Sequence, residues 1–437
     1  MARNGALMRS PQVSLKLGIA PTGAKADSNK VLPEDRAVHD WYRFVLSFPP
    51  HLVRTYLERF ELDGRHTVLD PFCGTGTTLV ECKKHGVRSI GIEALPMAQF
   101  ASRVKTDWAV GSRALSDHAA RVASDVEAAL GRVGSLLRSL PQHKVELLLR
   151  DSISPLPLHK VLELQGAIEM RREEQLYDHE RLALAKALVT SISNLRFGPE
   201  VGIGAIKHDA DVVGAWLAEV GAMAADLQEL RGGTHVPSVV HLGDARELNK
   251  YVEPDTIDAI FTSPPYPNEK DYTRTTRLES VLLGLVEDKR SLRRIKQGLL
   301  RSNTRNVYKT DDDDRWVREQ EALQDIARAI ETRRAELGKT SGFERLYARV
   351  TLLYFGGMYR HLAQLRTVLK PGAQAAYVVG DQASYLQVMI RTGQLLARLA
   401  ESLGYEVESI DLFRERWATA TKQELREEVI VLRWPRR

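Results

Sequence analysis

The chain is 437 residues long, 43% hydrophobic and 27% charged, so it can bury a large core and reads as a globular enzyme with one catalytic domain and insertions. Its formal net charge of +5 is compatible with a polyanionic partner but is too small, over this length, to identify nucleic acid by itself. The two cysteines, Cys73 and Cys82, form no metal-type pair, and no window approaches about 18 uninterrupted apolar residues; a disulfide scaffold, a Cys-based zinc site and a membrane span are excluded. Met1–Lys30 lacks the apolar run of a signal peptide, so a cytoplasmic protein without a metal is expected.

Residues 1–35 mix Gly, Pro, Ser and Lys without periodicity, as a flexible tail does. Over 36–105 the pattern is β-turn-α-β. Thr67–Asp70 is an apolar run entering a Gly/Thr-rich turn, Thr77–Lys84 starts a helix, and Ser89–Ile92 is a second apolar run ending in Glu93. Residues 106–235 carry Ala, Leu, Glu and Arg at helical spacing, with helices expected over Ser116–Leu140, Glu174–Asn194 and Asp209–Leu230. Within this helical insertion, 112–235 holds 14 basic against 17 acidic side chains, a balance that points to structure or a partner contact such as a homodimer.

Strand-like sequence returns over 236–270, at Ser238–Leu242 before Gly243-Asp244-Ala245, and at Ile257–Thr262 before a proline loop. A second helical insertion is expected over 271–345. Residues 346–437 then close the sheet, with a helix over Phe343–Leu369 stopped at Pro371-Gly372, a strand at Ala373–Val379, a helix over Thr392–Leu403, and strands at Val407–Leu412 and Glu428–Trp434. Almost nothing follows the last strand, so no recognition domain is expected at the C-terminus.

The chemistry sits at the ends of these strands. Asp70-Pro71-Phe72-Cys73-Gly74-Thr75-Gly76-Thr77 places small residues where a cofactor must approach the backbone, and glycine permits this because it has no Cβ. Taken alone, Gly-x-Gly is also an ordinary tight turn. Thr78 and Leu79 stand where a dinucleotide fingerprint would continue, and no Gly-Lys-Ser/Thr loop occurs, which disfavours NAD and ATP. Glu93, with Ala94 after it, ends the second strand where an acid can accept from ribose hydroxyls. Asp244 is placed to accept from an adenine amine, and Ala245 to offer a backbone contact. In Ser263-Pro264-Pro265-Tyr266 two prolines fix φ and remove two N–H donors, leaving carbonyls and a hydroxyl as acceptors for an amine, with the Tyr266 ring available for stacking.

Together, Asp70–Gly76, Gly91-Ile92-Glu93 and Thr262–Tyr266 resemble the amino-methyltransferase family of DNA modification enzymes. The resemblance covers about 36–105 and 236–437 and implies a Rossmann-like α/β fold, a seven-stranded, mostly parallel sheet with helical insertions. It also implies S-adenosyl-L-methionine as cofactor and double-stranded DNA as substrate, with a restriction endonuclease as a further partner. Trp41-Tyr42-Arg43-Phe44 and Ser47-Phe48-Pro49-Pro50 are similar to the family segment that closes over the cofactor, implying contacts from Trp41, Phe48 and Pro49; without the family, the same segment reads as a helix start with an aromatic core anchor. The serine form of the proline loop implies N4-cytosine as target, with N6-adenine the other family activity. Ring-carbon methylation needs a cysteine nucleophile in that loop, and none is there.

A base must leave the duplex to reach such a loop, at a cost of roughly a few kcal/mol that phosphate and base contacts must offset. Asp271–Thr310 holds ten Lys or Arg against four Asp or Glu, so the second insertion is the better DNA face. Lys270, Tyr272, Arg274 and Arg277 directly follow the catalytic loop and are expected to line the groove, with Arg293 and Arg294 further out.

Overall fold

A computed structural model describes residues 31–43, 47–131, 136–197, 200–230, 236–268, 270–418 and 423–436. Residues 1–30 of the expected tail, and Phe44, lie outside the described residues. Pro33–Asp35, grouped with that tail by composition, forms a 3-10 turn, and its Asp35 carboxylate is buried against Arg54 at 2.7 Å.

In chain order the strands are β1 (Thr67–Asp70), β2 (Arg88–Glu93), β3 (Leu195–Arg196), β4 (Gly202–Ile203), β5 (Ser238–Leu242), β6 (Ile257–Thr262), β7 (Leu369–Gly380), β8 (Glu406–Ala418) and β9 (Gln423–Arg433). β3 and β4 pair with each other, and the other seven form one sheet in the order β5-β2-β1-β6-β7-β9-β8. Its pairings are parallel except those of β9, which runs antiparallel to β7 and β8. The central strands are buried on both faces, as parallel strands between helical layers must be. Val68, Ala259 and Phe261 face one layer, Leu69 and Ile260 the other.

Helix α1 (Pro50–Arg59) covers the first face with Leu52, Val53, Tyr56 and Leu57. Helices α2 (Thr77–Lys84) and α3 (Pro96–Lys105) follow β1 and β2. The first insertion folds as α4 (Ser112–Leu130), α5 (Gln142–Val145), α6 (Pro155–Met170), α7 (Glu174–Ala187), a π-helical turn at Leu188–Ile192, and α8 (Val212–Glu229). Leu115, Leu164, Leu184 and Trp216 lie in an apolar core shared with Val80 of α2, Met97 and Phe100 of α3, and Leu278 and Leu282 of the second insertion. The second insertion is broken into α9 (Tyr272–Thr275), α10 (Arg277–Leu282), α11 (Lys289–Gly298), two 3-10 turns and α12 (Glu321–Glu336). Then α13 (Tyr347–Leu365) and α14 (Thr392–Ser402) pack Phe355, Met358, Leu396 and Leu399 on the second face of the sheet. Among the described residues no helix is long and apolar enough to cross a membrane.

Several stretches differ from the sequence expectation, among them the helix expected over Ser116–Leu140, which ends at Leu130. Helix α13 ends at Leu365 and β7 already begins at Leu369, so Pro371-Gly372 lies inside a strand rather than between two elements. The ladder to β6 skips there, from Leu369 to Gln374, and Gly372 at φ +87° turns the chain; the bulge removes the proline, which has no N–H to give, from the ladder. Strands β8 and β9 run to Ala418 and back from Gln423, well beyond the apolar runs that announced them.

Strand order reverses between β1 and β6. In open α/β sheets the crevice at the carboxyl ends of the strands at such a switch point is where ligands bind. Asp70, Glu93, Asp244 and Ser263 all lie at or just past these ends.

Candidate functional site

The Gly-rich turn is held from both sides. Cys73 N donates to Ile92 O at 3.1 Å, Gly76 N to Cys73 O at 2.8 Å, and Gly74 N to Glu93 Oε2 at 2.8 Å. Gly74 and Gly76 have φ of +50° and +86°, a region that glycine enters without strain. Their surroundings differ. A Cβ on Gly76 would stand 2.5 Å from Ser102 Oγ, whereas one on Gly74 would meet nothing within 4 Å. Gly76 is therefore needed for packing of α2 against α3, and Gly74 borders open space. Cys73 is buried beside Ser102, and burial holds its thiol protonated, so it packs rather than reacts. Thr75 and Thr77 are buried within the turn.

Asp70 is fully buried. Its Oδ1 accepts from Thr262 Oγ1 at 2.6 Å and from Phe72 N at 3.2 Å, while Oδ2 has no partner among the described residues. Burial raises its pKa to about 6. The Thr262 bond ties the end of β1 to the strand that carries the proline loop. Glu93 uses one bond on each oxygen, from Gly74 N and from Leu95 N, both at 2.8 Å, and burial pushes its pKa to about 7. Two carboxylates with spare lone pairs beside an open glycine fit a group bearing hydroxyls and an amine.

The Asp244 carboxylate is gripped by Arg246, with Nε at 2.9 Å from Oδ1 and NH2 at 2.6 Å from Oδ2, and Arg246 reaches on to Asp313. Asp313 belongs to the second insertion, so that insertion braces the third acid of the site. Ala245 O accepts from His361 Nδ1 at 2.8 Å, and the other ring nitrogen, Nε2, lies 2.7 Å from the Tyr377 hydroxyl. A carbonyl can only accept, so Nδ1 carries the proton and Nε2 takes the Tyr377 O–H. Burial lowers the His361 pKa to about 4, and its ring meets Phe72 edge-on at 5.0 Å, joining the Gly-rich loop to the turn after β5. Sequence reading missed Arg246, Asp313 and His361, and gave Thr262 no role beyond its place in the loop motif. Only Arg246, two residues beyond Asp244, carried a local signal.

In the proline loop, Ser263 Oγ donates to Val378 O of β7 at 3.0 Å. Pro264 is buried, while Pro265 and Tyr266 are half-buried. The Tyr266 ring lies against Gly380, where a Cβ would come within 2.9 Å of its Cε2. A side chain at position 380 would displace the ring. Phe48 packs edge-on against Phe261 at 5.3 Å, one strand position from Thr262, and Pro49 caps α1 beside it. Ala94 follows Glu93 in the turn before α3.

Four of the expected contact residues need correction or refinement. Trp41 is a core anchor, the non-family reading of its segment: its ring meets His179 at 5.7 Å and its Nε1–H donates to Asp226 of α8 at 2.7 Å. Arg277, expected on DNA, spends its guanidinium inside the protein, on Thr273 O at 2.9 Å, Thr273 Oγ1 at 3.2 Å and Leu147 O at 3.2 Å. Tyr272 is half-buried, its hydroxyl pKa pushed up to about 12 by burial and then by the charge of Glu93, so it faces the acid end of the site. Arg274 is half-buried, with Nε unpaired among the described residues. Arg293 and Arg294 are exposed on α11, which buries none of its residues fully, and Lys270 is half-buried.

Comparison with known proteins accords with this geometry. The N6/N4 methyltransferase family, described as DNA methylase, matches residues 25–98. The chain is similar to the Type II methyltransferase M.BsoBI of Geobacillus stearothermophilus, 25% identical over 436 residues, 89% of this chain and 83% of that protein. It is also similar to the Type II methyltransferase M.AvaI of Nostoc sp., 26% identical over 415 residues, 88% of this chain and 81% of that protein. A shorter likeness joins it to the Type II methyltransferase M.MjaII of Methanocaldococcus jannaschii, 40% identical over 68 residues, 16% of this chain and 13% of that protein.

Proposed function

We propose that the chain is a DNA amino-methyltransferase with S-adenosyl-L-methionine as methyl donor, as its likeness to the N6/N4 family over residues 25–98 and to Type II methyltransferases over most of its length supports, and that it methylates the N4 amine of cytosine in a specific sequence of double-stranded DNA. The observation that carries this reading is the Ser263 hydroxyl. Its proton is committed to Val378 O, so what it offers a ligand is lone pairs, which suit an amine N–H. The Pro264 carbonyl supplies a second acceptor, and Pro265 fixes the loop without competing donors. With both amine hydrogens held, the nitrogen lone pair is turned towards the cofactor. Tyr266, braced on Gly380, stacks on the extruded base.

On the cofactor side, Asp70, Glu93 and Asp244 supply acceptors, Pro71 to Thr77 the cradle, Ala94 and Ala245 backbone contacts, and Phe48 and Pro49 a wall. Bound S-adenosyl-L-methionine supplies the electrophilic methyl group. The chain's work is orientation and exclusion of water, with the amine proton leaving late through the loop or solvent. Lys270, Arg274, Arg293 and Arg294 contact the DNA. The Type II relatives support reading the chain as the modification member of a cytoplasmic restriction-modification pair, with an endonuclease as its counterpart.

The test is incubation of DNA with protein and methyl-labelled cofactor, followed by digestion to nucleosides. Label in N4-methylcytosine supports the proposal, and label in N6-methyladenine overturns the base assignment. Ser263→Ala should lower kcat by roughly 10²-fold while retaining DNA and cofactor affinity. Undiminished turnover would remove Ser263 from the chemistry.

A further inference from the structure

The last backbone bond from β7 to β9 runs from Asp381 N to Arg426 O at 2.8 Å. Beyond it β8 and β9 continue as a two-stranded arm through the rungs Arg416↔Leu425, Trp417↔Glu424 and Ala418↔Gln423. At roughly 3.4 Å per residue the arm projects about 10 Å past the edge of the sheet that holds Tyr266. Arg391 braces its base, donating to Asp381 Oδ2 and, at 3.2 Å, to Glu424 O.

Register decides which side chains face the catalytic loop. Gly380 pairs with Glu427, and a Cβ on Gly380 would meet both the Tyr266 ring and Glu427 Cγ, so Tyr266 and Glu427 share a face. Arg414 pairs with Glu427 across the arm and forks onto its carboxylate at 2.5 and 2.7 Å. Side chains two apart in a strand share a face, so Arg416 lies on this side as well, one step further out. It is exposed and has no hydrogen bond or ion pair among the described residues. On the other face Glu415 is within 3.6 Å of Arg426.

Lys270, four residues after Tyr266, is half-buried just past the catalytic loop. Its ammonium is disfavoured first by burial and then by the like charge of Arg416, with Glu200 the acid nearby. Arg416 on the Tyr266 side of the arm and Lys270 just past the same loop, neither of them ion-paired among the described residues, together favour an anion on that side.

We propose that the β8–β9 arm is a second jaw of the DNA cleft, facing the basic insertion across the catalytic loop, and that Arg416 with Lys270 holds a phosphate of the strand carrying the target base. This rests on the reading of DNA as substrate. It explains why two strands continue past the sheet they complete. It also makes Arg416 a DNA contact that lies outside the basic stretch after the loop.

Binding of a fluorescein-labelled mixed-sequence duplex, followed by anisotropy across a salt series, tests the arm in the full chain. Arg416→Ala should weaken binding several-fold and reduce the slope of log K against log salt by about 0.9, one phosphate contact. It should raise the KM for DNA and leave kcat and cofactor affinity at parental values, the last showing that the fold is intact. Arg416→Lys should restore the slope. Parental affinity and slope in Arg416→Ala would overturn the proposal, as would a loss that lysine does not restore. If the parent transfers label to DNA and Arg416→Ala does so equally well at limiting DNA, the arm fails alone; if the parent labels no DNA, the substrate reading fails with it.

Discussion

The two insertions are both helical, yet α11 of the second buries none of its residues fully, whereas α4, α6, α7 and α8 of the first each carry buried residues. The first sets its buried side chains in a core shared with Trp41, Phe100, Leu278 and Leu282, and Trp216 in that core is completely buried, with Nε1–H donating to Glu180 O at 2.9 Å. In the second, α11 seats Leu292 and Ile295 on a small cluster with Leu147, Val281 and Val286 and leaves Arg290, Arg293 and Arg294 in solvent. The two meet at that cluster and at the ion pairs Lys289–Glu146 and Lys144–Glu287, at 2.7 and 2.6 Å. One insertion thus supports, and the other presents. Charge balance sets α11 apart from the first insertion, whereas helical periodicity is common to both.

Trp216→Ala removes the largest side chain from the core of the first insertion. It should cost about 3–5 kcal/mol of stability, read as a fall in the denaturant midpoint, because a large buried ring is replaced by a cavity. A change near zero would mean that the first insertion is not the cooperative support described. Arg277→Ala comes next, with an expected loss of about 1–3 kcal/mol from its buried hydrogen bonds and little change in the salt slope of DNA binding. The reverse pattern would return Arg277 to the DNA face.

Arg293→Ala combined with Arg294→Ala should do the opposite of both. Stability should hold within about 0.5 kcal/mol, while the salt slope of DNA binding falls by about 2. An unfolding effect larger than the binding effect would merge the two insertions into one class.

The smallest effect lies on the sheet between them. If Glu93 holds the ribose as proposed, it accepts best when ionised, so with its pKa raised to about 7 cofactor affinity should rise through pH 7 and fall by up to about tenfold per unit below it. Folding stability moves the other way: a carboxyl whose folded pKa is raised contributes most below its ordinary 4.5, and that contribution is lost as pH rises through 7. Glu93→Gln should flatten the cofactor profile, and variants in either insertion should leave it unchanged, as calorimetric titration at several pH values would show.

Legibility in the sequence followed the source of each constraint. The Gly74-Thr75-Gly76 turn and the Pro264-Pro265 loop were readable because backbone φ restricts the residues allowed, and the acids at the ends of β1, β2 and β5 because strand ends fall where apolar runs stop. Trp41 was less decidable, since an aromatic before a helix looks alike against a cofactor or in a core. Arg277 looked like the other basic residues after the loop, and only its carbonyl partners, one of them Leu147 across 130 positions, distinguish it. The arm beyond Leu412 was hidden for a related reason. Arg414, Glu415, Arg416, Glu424 and Arg426 interrupt the apolar pattern there while backbone pairing continues. The bond from Thr262 to Asp70, like the reach of Arg246 to Asp313, spans a distance in sequence that no local pattern encodes.

The most direct test of the central claim is modified-base sequencing of DNA from a host expressing the protein, beside a host expressing Ser263→Ala. N4-methylcytosine at one recurring short sequence, absent from the Ser263→Ala host, is the predicted result. N6-methyladenine at such a sequence, or DNA without added methylation in a host that makes folded protein, would contradict it.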